Sequence, residues 1–240
     1  MTGRRRGRAT IPVLPPGAAF LPTSKSTTRR NRNRDIEAQA LAMLERYDCP
    51  MPFHAVRTHF LGAMCAPGPV QPMKTLARIW NGTLPAFPSI EAVNELLGVL
   101  IGGFWNALVV HQDEAHPCRL MTFPARATRE GLARVAEIRA EELHGFLRGV
   151  FGDEESLELP GPMGESLDAL MELEGIFAGM QELLEDPDQP ATASELKGLK
   201  SKVSELTAIA ELEMHAVVLE ARALRGQELA RDEKQGAVVH

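Results

Sequence analysis

The stretch Ser89–His111, SIEAVNELLGVLIGGFWNALVVH, is the longest apolar segment of the chain, and its reading decides the fold. Ser89 is placed to cap a helix N-terminus, and Glu91 falls in the first turn, where the helix dipole favours a carboxylate. Val93, Leu96, Leu97, Leu100, Phe104 and Leu108 recur at helical spacing. Ile101, Trp105 and Val109 widen the apolar face until it nearly encircles the helix, which predicts a central helix buried on most sides. A membrane span takes about 20 apolar residues. The uninterrupted run Leu96–Trp105 is shorter and Asn106 ends it, so the segment reads as a core helix, with no membrane as partner. Gly98, Gly102 and Gly103 each cost an isolated helix about 1 kcal/mol relative to alanine. Such residues are retained more easily where a neighbour packs against bare backbone.

Composition agrees with an all-helical protein. Of 240 residues, 44% are hydrophobic and only 5% aromatic, and Ala, Leu, Glu and Met outnumber β-branched runs. Three cysteines, Cys49, Cys65 and Cys118, make no disulfide framework, which points to a reducing cytoplasm. The net charge of -6 conceals an asymmetry. Residues 1–34 hold nine Lys or Arg and no acid, whereas the remainder holds 17 basic and 32 acidic residues. An acidic body argues against nucleic-acid binding through the folded part, and leaves residues 1–34 as a weak, non-specific nucleic-acid contact. Pro12, Pro15 and Pro16 break the only apolar run that a signal peptide could use, and the segment reads as a disordered basic tail.

Helical periodicity continues on both sides of the opening stretch. Asp35–Asp48, capped by Asp35, presents Ile36, Ala40, Leu44 and Tyr47, and Cys49-Pro50-Met51-Pro52 ends it. Phe53–Ala66 turns Val56, Phe60, Leu61 and Met64 inward, and Pro72–Trp80 presents Leu76, Ile79 and Trp80 before Asn81-Gly82. Thr128–Phe151 has Thr128 as cap, a stripe from Leu132 to Val150, and Gly152 as stop. Glu165–Glu185 places Leu167, Leu170, Met171, Leu173, Ile176, Phe177, Met180 and Leu184 on the core. After the breaker Asp186–Pro190, Thr192 and Glu195 have capping-box spacing. Leu196, Leu199, Val203, Leu206 and Ala210 then alternate three and four, and the phase slips toward Ile209, Leu212, Val217 and Leu224. The expected fold is a compact all-α multi-helix bundle. Residues 1–34 form the tail, 35–188 the helical domain, and 191–232 a helical hairpin or coiled-coil extension.

Three ordered segments resemble the YecA/YgfB-like family of bacterial proteins. Phe60-Leu61-Gly62-Ala63, then Pro67 and Leu76…Ile79-Trp80, is similar to the family's opening motif. Leu97-Gly98-Val99-Leu100…Asn106 is similar to its central motif, and Glu141–Gly149, EELHGFLRG, to its last. The similarity covers about residues 35–186. His59 stands where the first motif prefers Gly, and Leu143-His144 departs from the third. The resemblance implies an all-α domain in a cytoplasmic bacterial protein. It implies no zinc here, because the cysteine-rich motif of some relatives has no counterpart beyond Cys118. HFLGAM and GFLRGV, around Phe60 and Phe146, also resemble one another.

Candidate chemistry is sparse. Glu141 and His144 have the Glu-x-x-His spacing of di-iron bundles, but a second copy is absent; Glu114/His116 and Glu211/His215 are wrongly spaced. His111, His116 and Cys118 share one loop and could contribute to a metal site, short of a fourth ligand. His54 and His59, near Cys49 and Cys65, lie about 140° apart around a helix and do not converge. There is no phosphate loop, His-Glu-x-x-His or Gly-x-Ser-x-Gly, and Asp153-Glu154-Glu155 reads as a solvated turn. The expected function is therefore that of a non-enzymatic adaptor or regulatory protein without a cofactor, binding an unidentified protein partner. Asn106, Trp105, Trp80 and His144 are its candidate groove residues. The alternatives are nucleic-acid association through the tail and metal binding through the His111/His116/Cys118 loop.

Overall fold

The computed structural model describes residues 24–69, 71–154, 159 and 161–236. They form α1 (Ser24–Arg46), α2 (Phe53–Ala63) and α3 (Pro72–Arg78). A continuous helical rod follows: α4 (Ile90–Leu97), a π-helix (Gly98–Trp105), a short α5 (Asn106–Leu108) and a 3₁₀ turn (Val109–Gln112). The long helices α6 (Arg129–Phe151), α7 (Gly161–Glu185) and α8 (Ala193–Gly236) complete the chain. No strand occurs among the described residues, and the all-α expectation holds.

The central helix is α2, and not the apolar stretch at 89–111. Every residue from His54 to Ala63 is buried. Val56, Phe60, Ala63 and Met64 pack into a core with Leu44, Leu76, Ile79, Leu96, Leu100 and Phe104. Leu61 and Cys65 pack into a second core with Phe146, Phe177, Met214 and Val217. Position in the fold follows from close approach, and the glycines show it. A Cβ on Gly62 would lie 2.1 Å from the Phe146 carbonyl oxygen, one on Gly145 2.5 Å from that of Ala55, and one on Gly149 2.2 Å from that of His59. The two similar segments HFLGAM and GFLRGV thus meet backbone to backbone where α2 crosses α6.

The rod Ile90–Gln112 is buried along one side only, through Ala92, Leu96, Leu100, Phe104, Trp105 and Leu108. Its length and composition alone would suffice to cross a membrane, a test that core helices also pass; in this fold it packs beside α1 and shares a core with α2. Its middle is not regular α-helix. The Asn106 N–H reaches the Ile101 carbonyl five residues back. This wider winding brings the adjacent Phe104 and Trp105 both inward. Gly98 and Gly102 face outward with no neighbour for a side chain to strike, and Gly103 sits 3.9 Å, measured from an added Cβ, from Ile36 of α1.

Other corrections concern the ends of the chain. Residues 1–23 lie outside the described residues, but 24–34, expected in the disordered tail, are helical, and Asp35 lies within α1 rather than capping it. Every proline of the tail precedes Ser24, and Arg is a good helix former. At the other end α8 is one helix and not a hairpin. Val203, Ala210, Met214, Val217, Val218 and Ala221 stay in phase on the second core. Of the positions toward which the phase was expected to slip, Ile209 and Leu212 are exposed, whereas Val217 is buried and Leu224 packs against the second core. On α7, Met171 and Ile176 are likewise exposed, because they flank the line set by Leu167, Leu170, Phe177 and Leu184.

The irregular segment from Asp113 to Thr128 is strapped to three helices by charged side chains. The Arg57 guanidinium donates to the Arg119 carbonyl at 2.7 Å, and Arg139 donates to that of Met121 at 2.8 Å. Glu142 accepts from the Met121 N–H at 2.8 Å, and Glu211 of α8 from the Leu120 N–H at 2.9 Å. Arg139 and Glu142 also pair with one another in the interior. Burial raises the Glu142 carboxyl above its ordinary range, against the pull of Arg139 and the Met121 N–H.

Candidate functional site

Where α2, α6 and α7 converge, the surface carries a groove of about 360 Å³. The proline break before α2 supplies one lip, Pro50, Met51 and Pro52. A stripe of α6, Ala140, Glu141, His144, Gly145 and Arg148, supplies the opposite wall at helical spacing. Glu174 enters from α7, and Asn81 from the turn after α3, where it adopts a φ of 54°. Asn tolerates that left-handed conformation better than most residues.

Two histidine–carboxylate pairs tie the walls together. His54 Nε2 lies 2.6 Å from Glu141 Oε2, joining α2 to α6. His144 Nδ1 lies 2.8 Å from Glu174 Oε1, joining α6 to α7. His54 is buried and stands edge-on to Phe123, whereas His144 is exposed. Glu141 and His144 therefore do not act as a Glu-x-x-His unit; each turns to a different helix. A carboxylate-oriented histidine can serve as an acid or base. No Ser, Thr or Cys lines this groove beside it among the described residues. The apolar lip and floor with a polar rim suit the capture of a side chain with its flanking backbone.

The other candidate residues go elsewhere. Trp80 is a core residue whose indole N–H donates to the Tyr47 carbonyl at 2.9 Å. Trp105 is also core, with its ring 5.2 Å from that of Phe60. Asn106, a candidate groove residue, is exposed; its side-chain amide donates to the Gly102 carbonyl at 3.1 Å. It lines a separate cleft of about 470 Å³, formed by the π-helical stretch and by Arg32, Asn33 and Ile36 of α1.

The His111/His116/Cys118 loop does not assemble a metal site. His111 Nδ1 engages the His116 carbonyl at 3.0 Å, and His116 Nδ1 lies 3.2 Å from Asp113. Cys118 points into the second core, where burial raises its thiol pKa and disfavours the thiolate that a metal requires. Among the described residues no three His, Cys, Asp or Glu side chains stand close enough to hold an ion.

Periodicity placed His144 and Glu141 on a helix, but Met51, Arg148 and Glu174 went unnoticed as groove residues, and so did the pairing of His54 with Glu141. Only the proline break at 50–52 could have marked that lip beforehand. No protein-family model, curated protein or solved structure matches the chain.

Proposed function

We propose that the chain is a non-enzymatic helical adaptor or regulatory protein that acts by binding another protein, in the manner implied by its resemblance to the YecA/YgfB-like family. The observation that carries this reading is the groove at Met51 and His144, concave, apolar at its floor and polar at its rim, on a frame of three packed helices. Rigid walls keep the ordering cost of binding low. The resemblance supports a bacterial, cytoplasmic setting. The test is capture from a native lysate of the source cells. The wild-type chain recovers a specific protein, and Met51→Arg, which puts a charge on the lip, loses it while keeping its helical circular dichroism. Recovery of the same proteins by both chains, or of nothing above background by either, ends the proposal.

A further inference from the structure

The outward face of the rod Ile90–Gln112 reads the same in both directions. Ile90, Asn94, Gly98, Gly102, Asn106 and Val110 follow one another at intervals of four. Matching types lie equally far from Leu100, with the aliphatics outermost, the asparagines next and the glycines innermost. The first five are exposed, Ile90 by 65%, and Val110 is half-buried. In a regular α-helix each such step advances about 40° around the axis, which would carry the series off one face. The π-helical turns from Gly98 to Trp105 are wider, so four residues fall short of a turn and the series steps back into line. A Cβ on Gly98 would meet nothing within 4 Å, so packing within the chain does not require that glycine.

An order that reverses onto itself is what a twofold contact requires, since residue i of one copy meets j of the other and j meets i. Two rods set antiparallel about Leu100 bring Gly98 of each against Gly102 of the other, where bare backbone permits close approach. Asn94 of each meets Asn106 of the other, and amides both donate and accept. Ile90 falls at Val110, over the cleft of about 470 Å³ that Gly102, Asn106, Val110 and, from α1, Arg32 and Ile36 line. Glu91, next to Ile90, arrives at the same cleft as Arg32. Neither joins an ion pair within the chain among the described residues. Polar Glu91, Asn94 and Asn106 along this face favour a protein over lipid as its cover. We infer that two copies of this chain associate through the outward face of the rod as a twofold antiparallel pair, Ile90 of each seated in the other's cleft and Glu91 of each facing the other's Arg32. One helix pair with a flanking cleft is a contact at the small end of specific interfaces, so the dimer forms in the micromolar range. It shares no residue with the groove at Met51 and His144, and the inference is independent of the adaptor reading.

The test is sedimentation equilibrium of the full chain across the micromolar range, where the wild type passes from monomer to dimer. Gly98→Leu has open space in the single chain, so it keeps the helical circular dichroism and weakens the dimer at least about tenfold. Glu91→Arg and Arg32→Glu each weaken it, and the two combined in one chain restore it. Disulfide trapping reads the register. Asn94→Cys and Asn106→Cys proteins cross-link when mixed and oxidised, and neither does so alone, because like positions stand more than about 10 Å apart along the axis, beyond disulfide reach. The wild type, whose own cysteines are wholly or partly buried, is the blank. A monomer throughout, Gly98→Leu dimerising like the wild type, no recovery on charge exchange, or single-variant cross-linking equal to that of the mixture would each overturn the inference. So would a monomer that floats with phosphatidylcholine vesicles, which assigns the face to a lipid surface.

Discussion

His59 makes the stability of this protein depend on acid in a direction and amount that can be worked out. It sits on α2 at 0% exposure, facing the α6 crossing. Its Nδ1 lies 3.2 Å from the Gly145 carbonyl, so Nδ1–H donates there. Nε2 is buried without a partner. A second proton on the ring would be buried, Arg148 and Arg78 oppose the added charge, and the Gly145 and Thr75 backbone carbonyls offset these effects only in part. Burial first, and then those cations, hold the pKa down to about 4 from 6.5. The unfolded chain therefore takes up a proton as pH falls through about 6.5, while the folded chain resists until about 4. Stability is full above the upper value and is lost across that window. A depression of this size corresponds to about 3 kcal/mol. The assay is urea unfolding near pH 7.5 and near pH 4, followed by fluorescence of the buried Trp80 and Trp105. Other groups titrate as well, so His59→Gln, which keeps an amide donor and cannot titrate, is the reference. The wild type loses about 3 kcal/mol more than the variant between the two conditions. If the two stabilities fall in parallel, His59 is not held neutral by the fold and the reasoning fails.

Further outcomes follow from packing and capping. Gly149→Ala drives a Cβ against the backbone of His59 and Ala63 and destabilises by about 1–3 kcal/mol in urea unfolding, whereas Gly198→Ala, in open space on α8, stabilises by up to about 1 kcal/mol. Arg139→Ala strands the buried carboxylate of Glu142 and costs about 3–5 kcal/mol by the same measurement. Thr192→Ala removes the hydroxyl that accepts the Glu195 N–H at 3.3 Å, costing about 1 kcal/mol and raising hydrogen exchange in the first turn of α8.

Helix identity and helix ends were legible in the sequence because they are local. Ser89 accepts from the Ala92 N–H at 3.3 Å and Thr128 from the Gly131 N–H at 3.1 Å. Thr192 and Glu195 close their capping box, and Gly152 stops α6 with a φ of 65°. Each depends on residues within one turn, so spacing and side-chain chemistry suffice. His144 was legible as a candidate for the same reason, since Glu141 lies one turn before it.

Centrality was not local. The most apolar stretch became a rod buried on one side, while α2, with two histidines, an arginine and a threonine, took the centre. Small residues on both α2 and α6 let those backbones touch, and no single segment shows that its neighbour is also small. The groove depends on partners 87 and 30 residues apart, His54 with Glu141 and His144 with Glu174. The phase of α8 was likewise settled by the helices it lies against, not by its own alternation. Sequence alone determined that this chain is helical and where most of its helices begin and stop. Tertiary packing decided which faces are buried and which charges meet, because burial and pairing are properties of two surfaces at once.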